Sequence, residues 1–286
     1  MLQLRLITSC ILIPIVISGL FWCSLSWFVL IMMTVSMLAA WEWTALSGLV
    51  SCKKRLGMTI LFGVIILIYT LSEVYKLTWM LHGFNCINVL KISLCWWIIA
   101  ICLVLFYPIS SGFWRTSCSL RLIFGLLTLL PFFCSILVLR QYNYLLDRHS
   151  GSWLILYLMC LIWGMDSGAY LCGKRFGKNK LSPRVSEGKT WEGFLGGLLT
   201  SGFIFYFLCL FEPLKISFTS LFVCSLSSVL ISVVGDLTES MFKREAGIKD
   251  SSNLIPGHGG VLDRIDSLTA AAPVFASLQL LLAGVF

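Results

Sequence analysis

The stretch from Ser240 to Asp266, SMFKREAGIKDSSNLIPGHGGVLDRID, gathers the residue types that handle phosphate and metal ions. It lies between two apolar spans and holds Glu245, Asp250, Asp263 and Asp266, the cations Lys243, Arg244, Lys249 and Arg264, and a PGHGG loop. So many charges kept at one membrane face point to chemistry there. Asp236, Ser240 and Lys243 are spaced i, i+4, i+7, so a helix continuing past Asp236 sets them on one face. A carboxylate, a hydroxyl and an ammonium in line suit a metal-bridged phosphate, with the acid on the cation and the lysine on phosphate oxygens. A solvated helix end with Asp236 paired to Lys243 accounts for the three equally well.

Asp263 and Asp266, at i and i+3, face together at the start of the next span. Either acid alone reads as a cap or a first-turn carboxylate favoured by the helix dipole. Two of them beside PGHGG, with Asp236 near the end of the preceding span, favour a Mg²⁺ site, because hard cations take carboxylate and phosphate oxygens. Gly259 and Gly260 let backbone N–H groups approach an anion, and His258 suits phosphate contact or proton transfer, although a plain turn with a solvated histidine also fits. A second polar segment begins at Asp166, inside an apolar run where an acid is costly and functional by default. Beyond it, GKRFGKNKLSPRVSEGKTWEG carries Lys174, Arg175, Lys178 and Lys189, which suit either a triphosphate or anionic lipid. This is not a Walker A loop, since Pro183 stands where its first glycine belongs. Glu42, between Trp41 and Trp43, reads as part of an interfacial aromatic belt and is assigned no chemistry.

The elements that must position these residues are membrane helices. Of the 286 residues 58% are hydrophobic and 12% charged, and the mean hydropathy is +0.93. That composition predicts an all-α, polytopic membrane bundle in one domain spanning 1–286. Apolar runs place about nine transmembrane helices, near 6–22, 24–46, 56–72, 87–107, 120–139, 152–172, 191–211, 217–236 and 267–286. The first break rests only on Gly19, Ser24 and Ser26. Most of the 21 Lys and Arg residues fall on one side if the N-terminus is cytoplasmic, as the positive-inside rule asks. The net charge of +8 is then largely topology and no sign of nucleic acid. The same arrangement brings the loops 173–190 and 237–266 to the cytoplasmic face, where nucleotides and metal ions are available. The 12 cysteines form no CxxC pair, and most sit in apolar runs as small hydrophobes. No cleavage site follows the apolar start, so the first helix is expected to stay.

The 240–266 stretch resembles the signature of the phosphatidate cytidylyltransferase (CDP-diacylglycerol synthase) family: S-x-F-K-R, four residues, K-D, then P-G-H-G-G-x-x-D-R-x-D. The DSGAY, FGK, LSP and KTWEG elements are similar to the family's second hallmark, so the likeness is firmest over about 160–270, where the active site is expected. Two departures stand out, Ser167 in place of the usual Thr and Glu187-Gly188 in place of a proline-containing S-P-x-K-T. The resemblance implies transfer of the cytidylyl group of CTP to phosphatidate, giving CDP-diacylglycerol and pyrophosphate for phospholipid biosynthesis. With it come Mg²⁺, as two divalent ions or as one divalent with one monovalent ion, membrane lipids as surroundings, and a homodimer. On this reading Asp236, Asp263 and Asp266 bind metal. Lys243, Arg244, Lys249 and Arg264 neutralise phosphates, with Asp250 beside them, and Ser240, His258, Gly259 and Gly260 orient them. Asp166 and Lys189 contact nucleotide or metal. A compact chain of this kind is expected in a bacterial cytoplasmic (inner) membrane, with the active site facing the cytoplasm.

The nearest alternative is a CTP-dependent lipid kinase, which releases CDP instead of pyrophosphate. A CDP-alcohol phosphatidyltransferase is disfavoured because its D-x-x-D-G-x-x-A-R motif is absent. A transporter would favour matching interruptions in repeated halves, and the polar residues here collect at one end.

Overall fold

The computed structural model describes residues 2–75, 86–210, 216–257 and 259–284. Nine α-helices follow in order among them: α1 Leu2–Phe21, α2 Leu25–Leu46, α3 Cys52–Tyr75, α4 Ile87–Leu105, α5 Cys118–Arg140, α6 Ser150–Phe176, α7 Trp191–Leu210, α8 Phe218–Glu245 and α9 Leu262–Leu282. Eight of them are long and apolar enough to cross a bilayer, and α1 is apolar over Cys10–Phe21. The expected all-α membrane bundle is what forms, because apolar helices satisfy their own backbone polar groups without water. Serines start several of them. Ser24, Ser117 and Ser217 accept the backbone N–H three residues on, opening α2, α5 and α8. The uncertain first break therefore lies at Ser24.

The hub is α9. Every residue from Ser267 to Ser277 is buried, as a helix surrounded by others must be. It packs against α8, α5, α4, α6 and α2. Its fit against α8 depends on Gly235, where a Cβ would stand 2.7 Å from the Asp266 carbonyl oxygen. α6 and α7 meet along a seam of small residues. A Cβ on Gly193 would stand 2.7 Å from the Ala169 carbonyl oxygen, so close backbone approach, not side-chain bulk, holds that pair.

Two boundaries differ most from the sequence reading. α8 runs on to Glu245, well beyond Asp236, so Asp236, Ser240 and Lys243 do share one helix. α9 begins at Leu262, which places Asp263 and Asp266 inside its first turns and not before it. The loop 173–190 also contains a two-stranded antiparallel ribbon, β1 Lys180–Ser182 and β2 Ser186–Thr190. Polar strands this short carry too little hydrophobic alternation to be read from sequence.

Candidate active site

At one end of the bundle, α6, the ribbon, α7, α8 and α9 enclose a polar cavity of about 460 Å³. Asp166, Lys189, Asp236, Lys243, Asp250, Asp263, Arg264 and Asp266 all line it, beside Tyr170, Ser186, Gly188 and Ser267. Residues from four separate stretches of sequence thus converge on one opening. Asp166, Asp236 and Asp266 reach that opening from three different helices.

Two ion-pair systems organise the walls. Lys189, at the end of β2, meets Asp236 Oδ2 at 2.7 Å, while Ser240 donates to Asp236 Oδ1 at 3.2 Å. Asp236 therefore pairs with the ribbon lysine, not with Lys243. Lys243 stands between Glu239 at 3.1 Å and Asp263 at 2.8 Å. Asp263 is fully engaged. Its Oδ1 accepts from Lys243, and its Oδ2 accepts from the backbone N–H groups of Ser251 and Gly260, at 2.8 to 2.9 Å. Of the glycine loop, the Gly260 N–H expected to face a phosphate donates to Asp263.

The glycines serve this turn directly. Gly257 and Gly259 adopt φ of +78° and +82°, conformations that other residues rarely adopt. Gly259 O accepts from Ile255 N at 2.8 Å, closing the loop on itself. His258 lies outside the described residues. Lys249 and Asp250 are exposed on the same loop, and Asp250 reaches the cavity wall. Arg244 turns away from the cavity: its Nε donates to the Val185 carbonyl at 3.1 Å and ties the ribbon to α8.

Two acids of the site escaped the sequence reading. Glu239 is 2% exposed. One of its oxygens bonds Lys243, and the carboxyl lies beside that of Asp266. Its spacing of four residues before Lys243 was the available signal. Glu42 is the other. Trp43 is not interfacial but buried, 5.2 Å from Phe242 between ring centroids, and Glu42 is buried with it. Its carboxylate accepts from the hydroxyls of Ser251 and Ser252 and the N–H groups of Val261 and Leu262. Nothing local in the sequence pairs a residue of α2 with that loop.

The donor set bears on the expected Mg²⁺. Among the described residues, no three Asp, Glu, His or Cys side chains form a ready cage for a metal ion. Mg²⁺ commonly uses only one or two carboxylates and completes its shell with water and substrate phosphates. The acids gathered on the cavity wall fit a hard cation of that kind, with Asp166, Asp236 and Asp266 better placed than the fully engaged Asp263.

Comparison with known proteins identifies the family. The sequence pattern of the cytidylyltransferase family matches residues 3–282. The chain is 43% identical to a phosphatidate cytidylyltransferase of Haemophilus influenzae, covering 96% of this chain and 98% of that one. It is 44% identical to one of Pseudomonas aeruginosa, covering 97% of each. A Staphylococcus aureus phosphatidate cytidylyltransferase is 43% identical over 127 residues, 44% of this chain and 49% of its own. With the match running through every helix that walls the cavity, this chain belongs to the cytidylyltransferase family.

Proposed function

We propose that this protein transfers the cytidylyl group of CTP to phosphatidate, releasing pyrophosphate and leaving CDP-diacylglycerol in the membrane. The observation that carries the reading is the polar, acid- and cation-lined cavity at one end of an otherwise apolar bundle. A water-soluble triphosphate and a bilayer-held phosphate can meet there. Near-full-length identity to phosphatidate cytidylyltransferases supports it. The cavity is assigned to the cytoplasmic face of a bacterial inner membrane, where the cationic loops collect.

In the reaction a phosphate oxygen of phosphatidate attacks the α-phosphorus of CTP. One P–O bond forms, the bond to the β-phosphate oxygen breaks, and pyrophosphate departs with the electron pair. The attacking oxygen is already anionic, so the residues need not abstract a proton. Their work is alignment and neutralisation. Lys189 and Arg264 stand on the cavity wall for the phosphates, and Lys243 holds Glu239 and Asp263 in place. Mg²⁺ belongs to the proposal, with Asp166, Asp236 and Asp266 as the residues that would hold it; when bound, it supplies charge neutralisation at the triphosphate.

The test uses detergent-purified protein, phosphatidate, Mg²⁺ and CTP labelled at the α-phosphate. Label is expected in the lipid fraction with pyrophosphate released, and both are expected to fall by about a hundredfold or more in Asp236→Asn. Label leaving as CDP would instead identify a lipid kinase and overturn the reading.

A further inference from the structure

Glu42 lies 209 residues before Ser251 in sequence, outside the motifs that mark the active site. Its side chain is nonetheless part of the loop that carries them. The residue is 1% exposed. Its two oxygens receive four hydrogen bonds: Ser252 Oγ at 2.6 Å, Leu262 N at 2.7 Å, Ser251 Oγ at 2.9 Å and Val261 N at 3.0 Å. Those donors sit at both ends of the glycine loop, so one carboxylate clamps its entry and its exit.

The start of α9 explains why an acid is needed. Val261 occupies its N-cap position and offers no side-chain hydrogen bond. Helix N-termini leave unpaired N–H groups and a partial positive charge that an anion satisfies. Glu42 supplies that anion from α2. The link continues to the cavity, because the Ser251 backbone N–H donates to Asp263 Oδ2 at 2.9 Å, and Asp263 holds Lys243. Gly260 sits so near that any side chain there would run into Ser251 and Glu42. A buried carboxylate is costly, and a well-packed apolar residue of similar volume is often no less stabilising. Packing alone therefore does not account for it.

We propose that Glu42 is a positioning residue for the reaction, capping α9 from α2 and, through Ser251, setting Asp263 and Lys243 in the cavity wall. The inference rests on the cytidylyl-transfer reading for its rate effect. Its structural half, the clamp on the loop, stands apart from that reading.

The experiment compares the full-length wild type with Glu42→Gln, Glu42→Asp and Ser252→Ala in detergent, using α-labelled CTP and phosphatidate. Glutamine keeps the shape but puts an NH₂ where N–H and O–H donors converge. Glu42→Gln is expected to lower kcat by about tenfold or more, with the phosphatidate KM within about threefold of wild type. Trypsin is expected to cut after the exposed Lys249 sooner than in wild type at a temperature where both proteins are fully folded, and Glu42→Asp to recover part of kcat. A kcat within about twofold of wild type in a folded Glu42→Gln protein would overturn the proposal, as would unchanged cutting at Lys249. Should that variant fail to fold, Ser252→Ala decides, since it removes the 2.6 Å donor to Glu42 and, besides it, only the 3.2 Å acceptor of the Leu254 N–H. Faster cutting at Lys249 with lower kcat supports the clamp, and wild-type behaviour in both overturns it. If wild-type label leaves as CDP, the cytidylyl-transfer reading fails, and the trypsin result still judges the clamp.

Discussion

Lys189 shows how a residue's partner decides its meaning. In the sequence it is one cation among many near the ribbon; in the structure it sits 2.7 Å from Asp236, with the two side chains 23% and 27% exposed. A pair this accessible contributes only ~1 kcal/mol or less to stability. Its value lies in holding a cation and an acid together on the cavity wall. Lys189→Ala is accordingly expected to lower kcat/KM for CTP by about tenfold or more while Tm shifts by no more than about 2 °C. Steady-state kinetics beside thermal unfolding in the same detergent reads both. A Tm collapse matching the activity loss would make the lysine a structural tie instead. Asp263 carries the opposite lesson, since its hydrogen bonds to Lys243, Ser251 and Gly260 occupy it with holding the loop.

At the scale of elements, the contact between α8 and α9 sets the spacing of the acids. Asp236 and Asp266 come from different helices, and Gly235 is what allows those helices to touch. A Cβ there would stand 2.7 Å from the Asp266 carbonyl oxygen and 2.9 Å from the Ala270 Cβ. Backbone cannot yield as a flexible side chain can, so Gly235→Val is expected to cost roughly 1–3 kcal/mol of stability. Turnover is expected to fall further than Tm alone would explain, because the acids are pushed apart. Measuring kcat at a temperature where the variant is fully folded separates the two. Turnover equal to wild type under that condition would show that the helix spacing is not critical. The ribbon is held in a comparable way from outside, by Arg244 on Val185 and Lys189 on Asp236.

For the molecule as a whole, the polar cavity and the opposite end of the bundle are different in kind. At the far end Arg140 is fully buried, stacked near Phe28 and Tyr144 and bonded to the carbonyls of Arg148 and Cys23. That cation closes a helix terminus, where carbonyls favour positive charge. The bundle is expected to sit with the cavity end inward. Trypsin should then cut the exposed ribbon near Lys178 and Arg184 in inverted membrane vesicles and spare it in right-side-out ones. Arg148 should show the reverse pattern. Cutting at the ribbon only in right-side-out vesicles would invert the topology.

Much of this was determined by the sequence alone. Runs of apolar residues near bilayer length leave a chain few options besides membrane helices, because unsatisfied backbone in lipid is so costly. Local spacing likewise announces Asp236, Ser240, Lys243, Asp263 and Asp266, since residues three, four or seven apart on a helix share a face whatever surrounds it. The tertiary structure alone decided the pairings: Asp236 with Lys189, Lys243 with Asp263 and Glu239, Arg244 with a backbone carbonyl, and Glu42 with a loop more than two hundred residues away. A buried charge must find donors somewhere in space. Composition shows that it must, and only the packing of α2 against the head of α9 shows where.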